Sequence, residues 1–297
     1  MNTREKGFLL LSSHLGDPDR RPLTAAQLRT LAGRVRSLEA PEGERELESG
    51  DLLELGYDRD MAKHILDLLS QEDVLEHYLR RGQRRGCLPV TRASEAYPLL
   101  LRRRLGLDSP GCLWVKGDTS LLNMPAVALV GCRDLDEPNR QFAEAAGIQA
   151  ARQGLTLVSG NARGADKTAQ NACLKAGARV ISIVADELAK HPLREGMLYV
   201  SEDGFEEAFS TQRAISRNRC IHAMGRMVFV AQANLEKGGT WDGTVKNLRR
   251  GWSSVACFRD GSEAAARLEE MGAYLIGMED LDDLGQLAQE NKSLFDR

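Results

Sequence analysis

From residue 86 onward short apolar runs alternate with helical stretches, and this alternation limits the chain's folding options more than any other feature. The runs are Ala126–Val130, Leu155–Val158, Arg179–Val184, Met227–Ala231, Ser254–Phe258 and Ala273–Ile276, rich in aliphatic and β-branched residues on both alternating faces. Helices fit between them at Pro138–Gln153, Asp166–Ala176, Ala214–Ala223, Thr244–Arg250 and Ser262–Met271. Gly154, Gly251 and Gly272 stand where C-terminal glycine caps belong. A strand that is apolar on both faces must be covered on both, and strands separated by helices run parallel. The expected fold is therefore α/β: a mostly parallel sheet with helices on both faces. Such sheets bind ligands at the carboxyl ends of the strands, where the strand order reverses. The loops that leave the strands are where function should sit.

The first 85 residues read differently. Thr24 and Gln27 form a capping box ahead of the helical stripe Leu28, Leu31, Val35 and Leu38. A second stripe runs Met61, Ile65, Leu68, and Ser70 with Asp73 restarts a helix carrying Val74, Leu75 and Tyr78. The acidic stretch Glu39–Glu54 reads as a solvated connection. A length of 297 residues accommodates about two domains. The expected division is a small helical N-terminal domain, 1–85, followed by the α/β domain, 86–297. The segment Leu53-Glu-Leu-Gly-Tyr with Ala62-Lys-His-Ile-Leu faintly resembles a helix-hairpin-helix, a reader of DNA backbone; the plain alternative is a helical bundle packed on the next domain.

Composition narrows the setting. No apolar run reaches the roughly 18 residues needed to span a membrane, and the opening Phe8-Leu9-Leu10-Leu11 is too short for a signal-peptide core. A cytoplasmic protein without membrane contact is expected. Cys87, Cys112, Cys132, Cys173, Cys220 and Cys257 form no Cys-x-x-Cys pair and have no histidine at zinc spacing, so reduced, buried thiols are expected and no metal. Cys132 sits in a loop, but no partner base is evident for a nucleophile. Net charge is −3, which argues against a surface coated in positive charge but leaves room for a local basic patch.

Four loops carry candidate chemistry. Gly131-Cys132-Arg133 follows a buried strand, where glycine permits a tight turn and holds Arg133 at the sheet edge. Ser159-Gly160-Asn161-Ala162-Arg163-Gly164-Ala165-Asp166 leaves a strand and enters a helix, whose free N–H groups and dipole suit a phosphate. Arg163 can add a charged contact, and Asp166 is expected to cap the helix or orient Arg163. In Arg213-Ala-Ile-Ser-Arg217-Asn218-Arg219, Ile215 and Ile221 are expected on a buried face. Arg217 and Arg219 must diverge, one facing the loops and the other pairing with a carboxylate. Lys237-Gly238-Gly239-Thr240-Trp241-Asp242-Gly243-Thr244 offers a second anion cradle, with Trp241 either stacked on a base or buried in the core. Each loop alone can be a solvent turn; four at one sheet edge converge on one cleft. None matches Gly-x-Gly-x-x-Gly or a Walker loop, so no dinucleotide or NTP cofactor is expected.

The order of these motifs resembles the DprA/Smf family of DNA-processing proteins. The resemblance runs from Leu88-Pro-Val-Thr-Arg and Tyr97-Pro98 through Leu113-Trp-Val-Lys-Gly117-Asp118, Ala126–Arg133 and Ser159–Asp166 to Arg217-Asn218-Arg219 and the glycine/threonine segment. It implies an extended Rossmann-like fold, single-stranded DNA as ligand, a homodimer, and delivery of a RecA-type recombinase to the strand during DNA uptake and transformation. The implied phosphate-binding set is Gly131, Arg133, Ser159, Gly160, Arg163, Gly164, Arg217, Asn218, Arg219, Lys237, Gly238, Gly239 and Thr240, with no catalytic residue. The chain departs from the family pattern in several places. Cys132 replaces a serine, Gln170 stands near an expected histidine, the stretch from Ile183 to Phe209 is short and unlike the usual one, and Gly-Gly-Thr-Trp-Asp-Gly-Thr replaces Ser-Gly-x-x-x-Thr-Ala. Two other functions remain open. One is a nucleotide-sensing module of a defence or stress system. The other is a LOG-type nucleotide phosphoribohydrolase, disfavoured because Val245, Lys246 and Asn247 follow Gly243-Thr244 where that reaction needs a glutamate.

Overall fold

The structure is a computed structural model, and it describes residues 1–35, 47–284 and 287. Its centre is a nine-stranded sheet built from β1 (Leu88–Thr91), β2 (Cys112–Gly117), β3 (Ala126–Val130), β4 (Thr156–Ser159), β5 (Val180–Ile183), β6 (Met197–Ser201), β7 (Met227–Val230), β8 (Ser254–Phe258) and β9 (Tyr274–Ile276). The spatial order is β1-β2-β6-β5-β4-β3-β7-β8-β9. From β6 to β9 every neighbouring pair is parallel, while β1 pairs antiparallel with β2 and β2 with β6. The chain runs outward from β3 through β4, β5 and β6, then returns to lay β7 against the other side of β3. That reversal is the defining mark of a Rossmann-like sheet.

Helices cover both faces. On one side α6 (Leu99–Leu105), α9 (Thr211–Met224), α10 (Gly238–Arg250) and α11 (Glu263–Glu270) bury Leu101, Ile221, Val245 and Leu268 against the strand residues Ala128, Val228 and Val255. On the other, α7 (Glu137–Arg152) and α8 (Ala165–Lys175) bury Phe142, Ala146, Ala169 and Cys173 against Val127, Leu157 and Phe229. α7 and α8 approach closely because Gly147 lies over the backbone carbonyl of Ala169, where a Cβ has no room. The expected glycine caps are present at positive φ: Gly154 at 67°, Gly251 at 62° and Gly272 at 103°.

Three strands lie outside the alternation read from the sequence. β1 and β2 precede its first named run, Ala126–Val130, and β6 sits in the stretch between Ile183 and Phe209 that looked unlike the usual pattern. β6 escapes because only a single short turn, Leu188–Lys190, joins it to β5 instead of a helix. α10 also begins at Gly238 and not at Thr244, so the glycine-rich segment is the first part of a helix and not a loop. Gly238, Gly239 and Gly243 mask it, since glycine is a poor helix former.

The upstream region forms α1 (Thr3–Ser12), α2 (Ala25–Val35), α3 (Ser49–Glu54), α4 (Arg59–Leu69) and α5 (Glu72–Arg84). The capping box forms: the Thr24 N–H donates to Gln27 Oε1 at 2.9 Å and the Gln27 N–H to Thr24 Oγ1 at 3.3 Å. Leu38 of the first stripe and 39–46 of the expected acidic connection lie outside the described residues, and Ser49–Glu54 is helical. α3 and α4 join through Gly56 at φ 80° and bury Leu52, Ala62 and Ile65 in a small core with Leu23, Leu31 and Leu68. α1 and α5 instead join the sheet core, where Tyr78 packs on Trp114 and Phe205 with ring centroids 5.2 and 4.7 Å apart. Among the described residues no helix is long and apolar enough to cross a membrane.

Candidate functional site

The reversal of strand order between β3 and β7 leaves a crevice beyond their carboxyl ends, and a cleft of about 580 Å³ occupies it. The loop after β3 supplies Gly131, Cys132 and Arg133; α9 supplies Ala214, Arg217, Asn218 and His222; the start of α10 supplies Lys237, Gly238, Gly239 and Thr240. A second chamber of about 310 Å³ adjoins it, lined by Gly160, Asn161 and Arg163 from the loop after β4 and by Asp186 after β5. Arg133, Ala162, Phe209, Ala214 and Arg217 line both.

Three arginines of α9 have three different fates. Ser210 caps the helix by accepting the Arg213 N–H at 3.1 Å. Arg213 is a structural clamp: its guanidinium donates to the carbonyls of Ala185, Glu207 and Ala208 at 2.8 Å each and pairs with Asp203. Arg219 turns away from the cleft and pairs with Glu202 at 2.6 Å. Arg217 faces the cleft. It is 7 % exposed, and it makes no hydrogen bond or ion pair within 4 Å among the described residues. Its guanidinium lies against Gly160, where any Cβ would fall inside it. Burial pulls its pKa down, and the charge of Asp166 opposes that shift. A buried cation with unfilled donors is costly unless something supplies the missing acceptors.

The loop after β4 departs from expectation. Two of its amides are not free: Asp166 Oδ2 accepts the N–H groups of both Gly160 and Ala162 at 3.1 Å. The Ala165 N–H at the start of α8 donates to the Cys132 carbonyl at 3.2 Å. The Lys167 and Thr168 N–H groups donate to the Ala162 and Gly164 carbonyls, so much of the α8 terminus is satisfied within the protein, and Asp166 neither caps α8 nor orients Arg163. It braces the loop instead. Burial pushes its carboxyl upward, with Arg217 and the two N–H groups pulling the other way. Gly164, at φ 87°, caps α8 and fits against the carbonyls of Cys132 and Arg133, so its role is the close approach of two loops. Ser159 is fully buried and accepts from Gln170 Nε2 at 2.6 Å. Ser159, Gly164 and Arg219 therefore support the site from outside its lining.

At α10 the expectation of an anion cradle meets a different geometry. The amides of Gly238, Gly239 and Thr240 form the first turn of the helix and find no acceptor among the described residues. The Thr240 hydroxyl donates to the Gly131 carbonyl at 2.9 Å, and Asn218 Nδ2 donates to the Gly239 carbonyl at 3.0 Å. These two bonds fix the helix start against β3 and α9. Lys237 and Arg133 are exposed at the rim with no side-chain partner among the described residues. Arg163 reaches the rim too, but pairs there with Asp134 at 2.7 Å. Trp241 is buried in the core, which settles its two readings against stacking on a ligand. Ile221 is buried as expected, whereas Ile215 is 41 % exposed at the cleft.

Sequence reasoning overlooked three lining groups. Phe209, 56 % exposed, is the aromatic that stands over both chambers. Asn161 holds φ at 62°, and its buried Oδ1 has no partner. His222 is fully buried, with burial pulling its pKa down to about 3. Its Nδ1 accepts from Asn247 Nδ2 at 3.2 Å, an amide whose orientation is set because Asn247 Oδ1 accepts the Ser253 N–H at 2.9 Å. The proton of the neutral ring is therefore on Nε2, which has no partner. Only Asn161 had a readable signal, an asparagine between glycine-permitted turns. Cys132 is half-buried, and burial pushes its thiol up, the opposite of what an activated nucleophile needs.

Comparison with known proteins relates the sequence and fold of this chain to a family of DNA-processing proteins. The DNA processing protein DprA of Streptococcus pneumoniae is 29 % identical over 182 residues, covering 57 % of this chain and 64 % of that protein. DprA of Bacillus subtilis is 28 % identical over 190 residues, covering 60 % of this chain and 61 % of that protein. The chain thus spans less than two thirds of the length of these relatives. The crystal structure of the S. pneumoniae protein superposes with a TM-score of 0.72 at 25 % identity, covering 95 % of this chain and 98 % of that one. A Helicobacter pylori DprA structure, described for its single-stranded DNA binding mode, shares the fold with a TM-score of 0.56 at 21 % identity over 69 % of this chain and 96 % of that one. The profile of the family described as DNA recombination-mediator protein A matches residues 89–280, and the chain belongs to that family.

Proposed function

We propose that the cleft between β3 and β7 binds single-stranded DNA without chemical conversion of it. The observation that carries this reading is Arg217: a buried arginine lining the cleft with no hydrogen bond or ion pair among the described residues, in a lining it shares with Arg133, which likewise has no side-chain partner among them. A phosphate oxygen supplies the acceptors such a group lacks, and the bidentate fork of arginine matches it. The free amides at the start of α10, with Lys237, offer a second seat for negative charge. Phe209 is placed for sequence-tolerant stacking of a base. The relatives named above support the ligand class.

Three of the lining groups that could act in catalysis are committed elsewhere or held protonated. Asp166 is committed to two amides, Asp134 to Arg163, and the Cys132 thiol is raised by burial. The wider role follows the family: a homodimer acting on incoming DNA in transformation, delivering a RecA-type recombinase to the strand. The test is a binding series with an oligothymidylate, a duplex of equal length and thymidine 5′-monophosphate. The single strand should bind best, with little sequence preference. Equal affinity for the mononucleotide would favour the small-nucleotide sensor, and steady release of free base from nucleoside monophosphates would make the protein an enzyme. Stimulated assembly of a RecA-type recombinase on the strand tests the delivery role, and a monomer at high micromolar concentration in light scattering would remove the homodimer.

A further inference from the structure

The run Arg80-Arg81-Gly82-Gln83-Arg84-Arg85 places four arginines at the end of α5, in a chain whose net charge is −3, and none of them lines the switch-point cleft. The fold fixes where they stand. Gly82 packs tightly on Trp114 and Phe205, with little room for a Cβ, which pins the end of α5 to the sheet. The last carbonyls of the helix are satisfied by the backbone: Gly82 accepts the Cys87 N–H and Gln83 the Gly86 N–H, at 2.9 Å each. The arginine side chains are therefore not needed as caps. Three of them have carboxylate partners: Arg80 pairs with Glu76 at 3.7 Å, Arg81 with Glu206, and Arg85 with Glu206 at 2.8 Å. Arg84 is exposed and has no side-chain partner among the described residues.

Arg84 and Arg85 line a shallow groove of about 520 Å³ together with Lys116 of β2 and with Glu187, Lys190 and Leu193 from the segment after β5. Four basic side chains thus share it with one carboxylate. That carboxylate, Glu187, pairs with Lys190 at 2.8 Å and lies 3.9 Å from Arg85. Lys116 is the buried member, at 8 % exposure. Its ammonium donates to the Ala189 carbonyl at 2.8 Å and has no carboxylate within 4 Å among the described residues. An ammonium carries three donors, so one carbonyl leaves it under-satisfied. The groove also continues from the cleft along the chain. Ala185 and Asp186 line the smaller chamber, and Glu187, Ala189 and Lys190 line the groove, while Asp186 itself pairs with His191 at 2.9 Å.

Given single-strand binding in the cleft, we propose that this groove is a second seat for the same strand, outside the switch point, where phosphates beyond the nucleotides in the cleft contact Lys116 and Arg84. Phosphate oxygens supply the acceptors that the protein does not give these two cations. The lining offers charge and an apolar edge at Leu193, so the contact follows strand length and not base sequence.

The experiment measures binding of oligothymidylates of about 4 and about 16 nucleotides, which bracket common single-strand site sizes, to the whole protein as a function of salt. The long strand should bind more tightly than the short one. Arg84→Gln and Lys116→Met should each weaken the long strand several-fold and make its slope of log affinity against log salt shallower by about 0.7. The short strand, held by the cleft alone, should keep its affinity. Arg84 is exposed, so its replacement leaves the core untouched. Glu187→Gln removes the carboxylate that holds Lys190 and should tighten the long strand, a gain that misfolding cannot produce. If the three variants bind the long strand as the native protein does, or if Arg84→Gln and Lys116→Met weaken both lengths equally, the groove is no part of the path while the cleft reading stands. If neither strand binds the native protein, the cleft reading fails and the groove falls with it.

Discussion

Arg217 lines the cleft at 7 % exposure and makes no hydrogen bond or ion pair among the described residues, and that condition links stability to function at a single residue. Keeping a guanidinium buried without acceptors costs free energy, and replacing it by an apolar side chain of similar length removes the cost. Arg217→Met should therefore leave the denaturation midpoint unchanged or higher while weakening oligothymidylate binding by about 10- to 100-fold, in line with 1.5–3 kcal/mol for a charged hydrogen bond. A urea titration beside a binding titration checks both halves. His222 makes a second prediction, in pH. The folded protein keeps the ring neutral down to about pH 3, whereas an unfolded histidine takes its proton near pH 6.5. Between those values the unfolded chain binds a proton that the native state does not. This contribution to stability is whole above about pH 6.5 and declines as the pH falls, by up to about 1.4 kcal/mol per unit. His222→Asn should shrink the difference between urea midpoints at neutral and mildly acidic pH; an unchanged difference would remove His222 as its source.

Among the elements, two glycines separate the site from the scaffold. Gly160→Ala places a methyl group where the Arg217 guanidinium lies, so it should weaken single-strand binding while retaining every charge. Gly147→Ala drives a Cβ into the Ala169 carbonyl between α7 and α8, away from the cleft. It should cost about 1–3 kcal/mol of stability and leave the affinity of the folded protein unchanged. Parallel denaturation and binding curves for the two variants distinguish these outcomes. The contrast also shows what the sequence made legible. Alternating runs and glycine caps revealed the parallel sheet, and therefore which loops surround the switch point, because both signals are local. β6 stayed hidden because no helix leads into it. The start of α10 stayed hidden because glycines conceal a helix whose stability comes from packing Trp241 and Val245. The fate of each arginine was not legible at all: whether Arg217 or Arg219 faces the cleft depends on where Glu202 lies in space, not on spacing within α9.

For the molecule as a whole, a net charge of −3 sets the terms of binding. Bulk repulsion opposes a rigid duplex, whereas a flexible strand can bend its phosphates toward the recessed Arg217 and the α10 terminus. Binding thus depends on a few localised cations, and Arg133 is the most direct test of it, because its exposed side chain has no partner among the described residues and its loss should not disturb the fold. The decisive measurement is oligothymidylate affinity as a function of salt for the native protein and Arg133→Ala. Removing one phosphate contact should weaken binding and make the slope of log affinity against log salt shallower by about 0.7. Superimposable salt titrations for the two proteins would contradict the assignment of this cleft as the place where the strand is held.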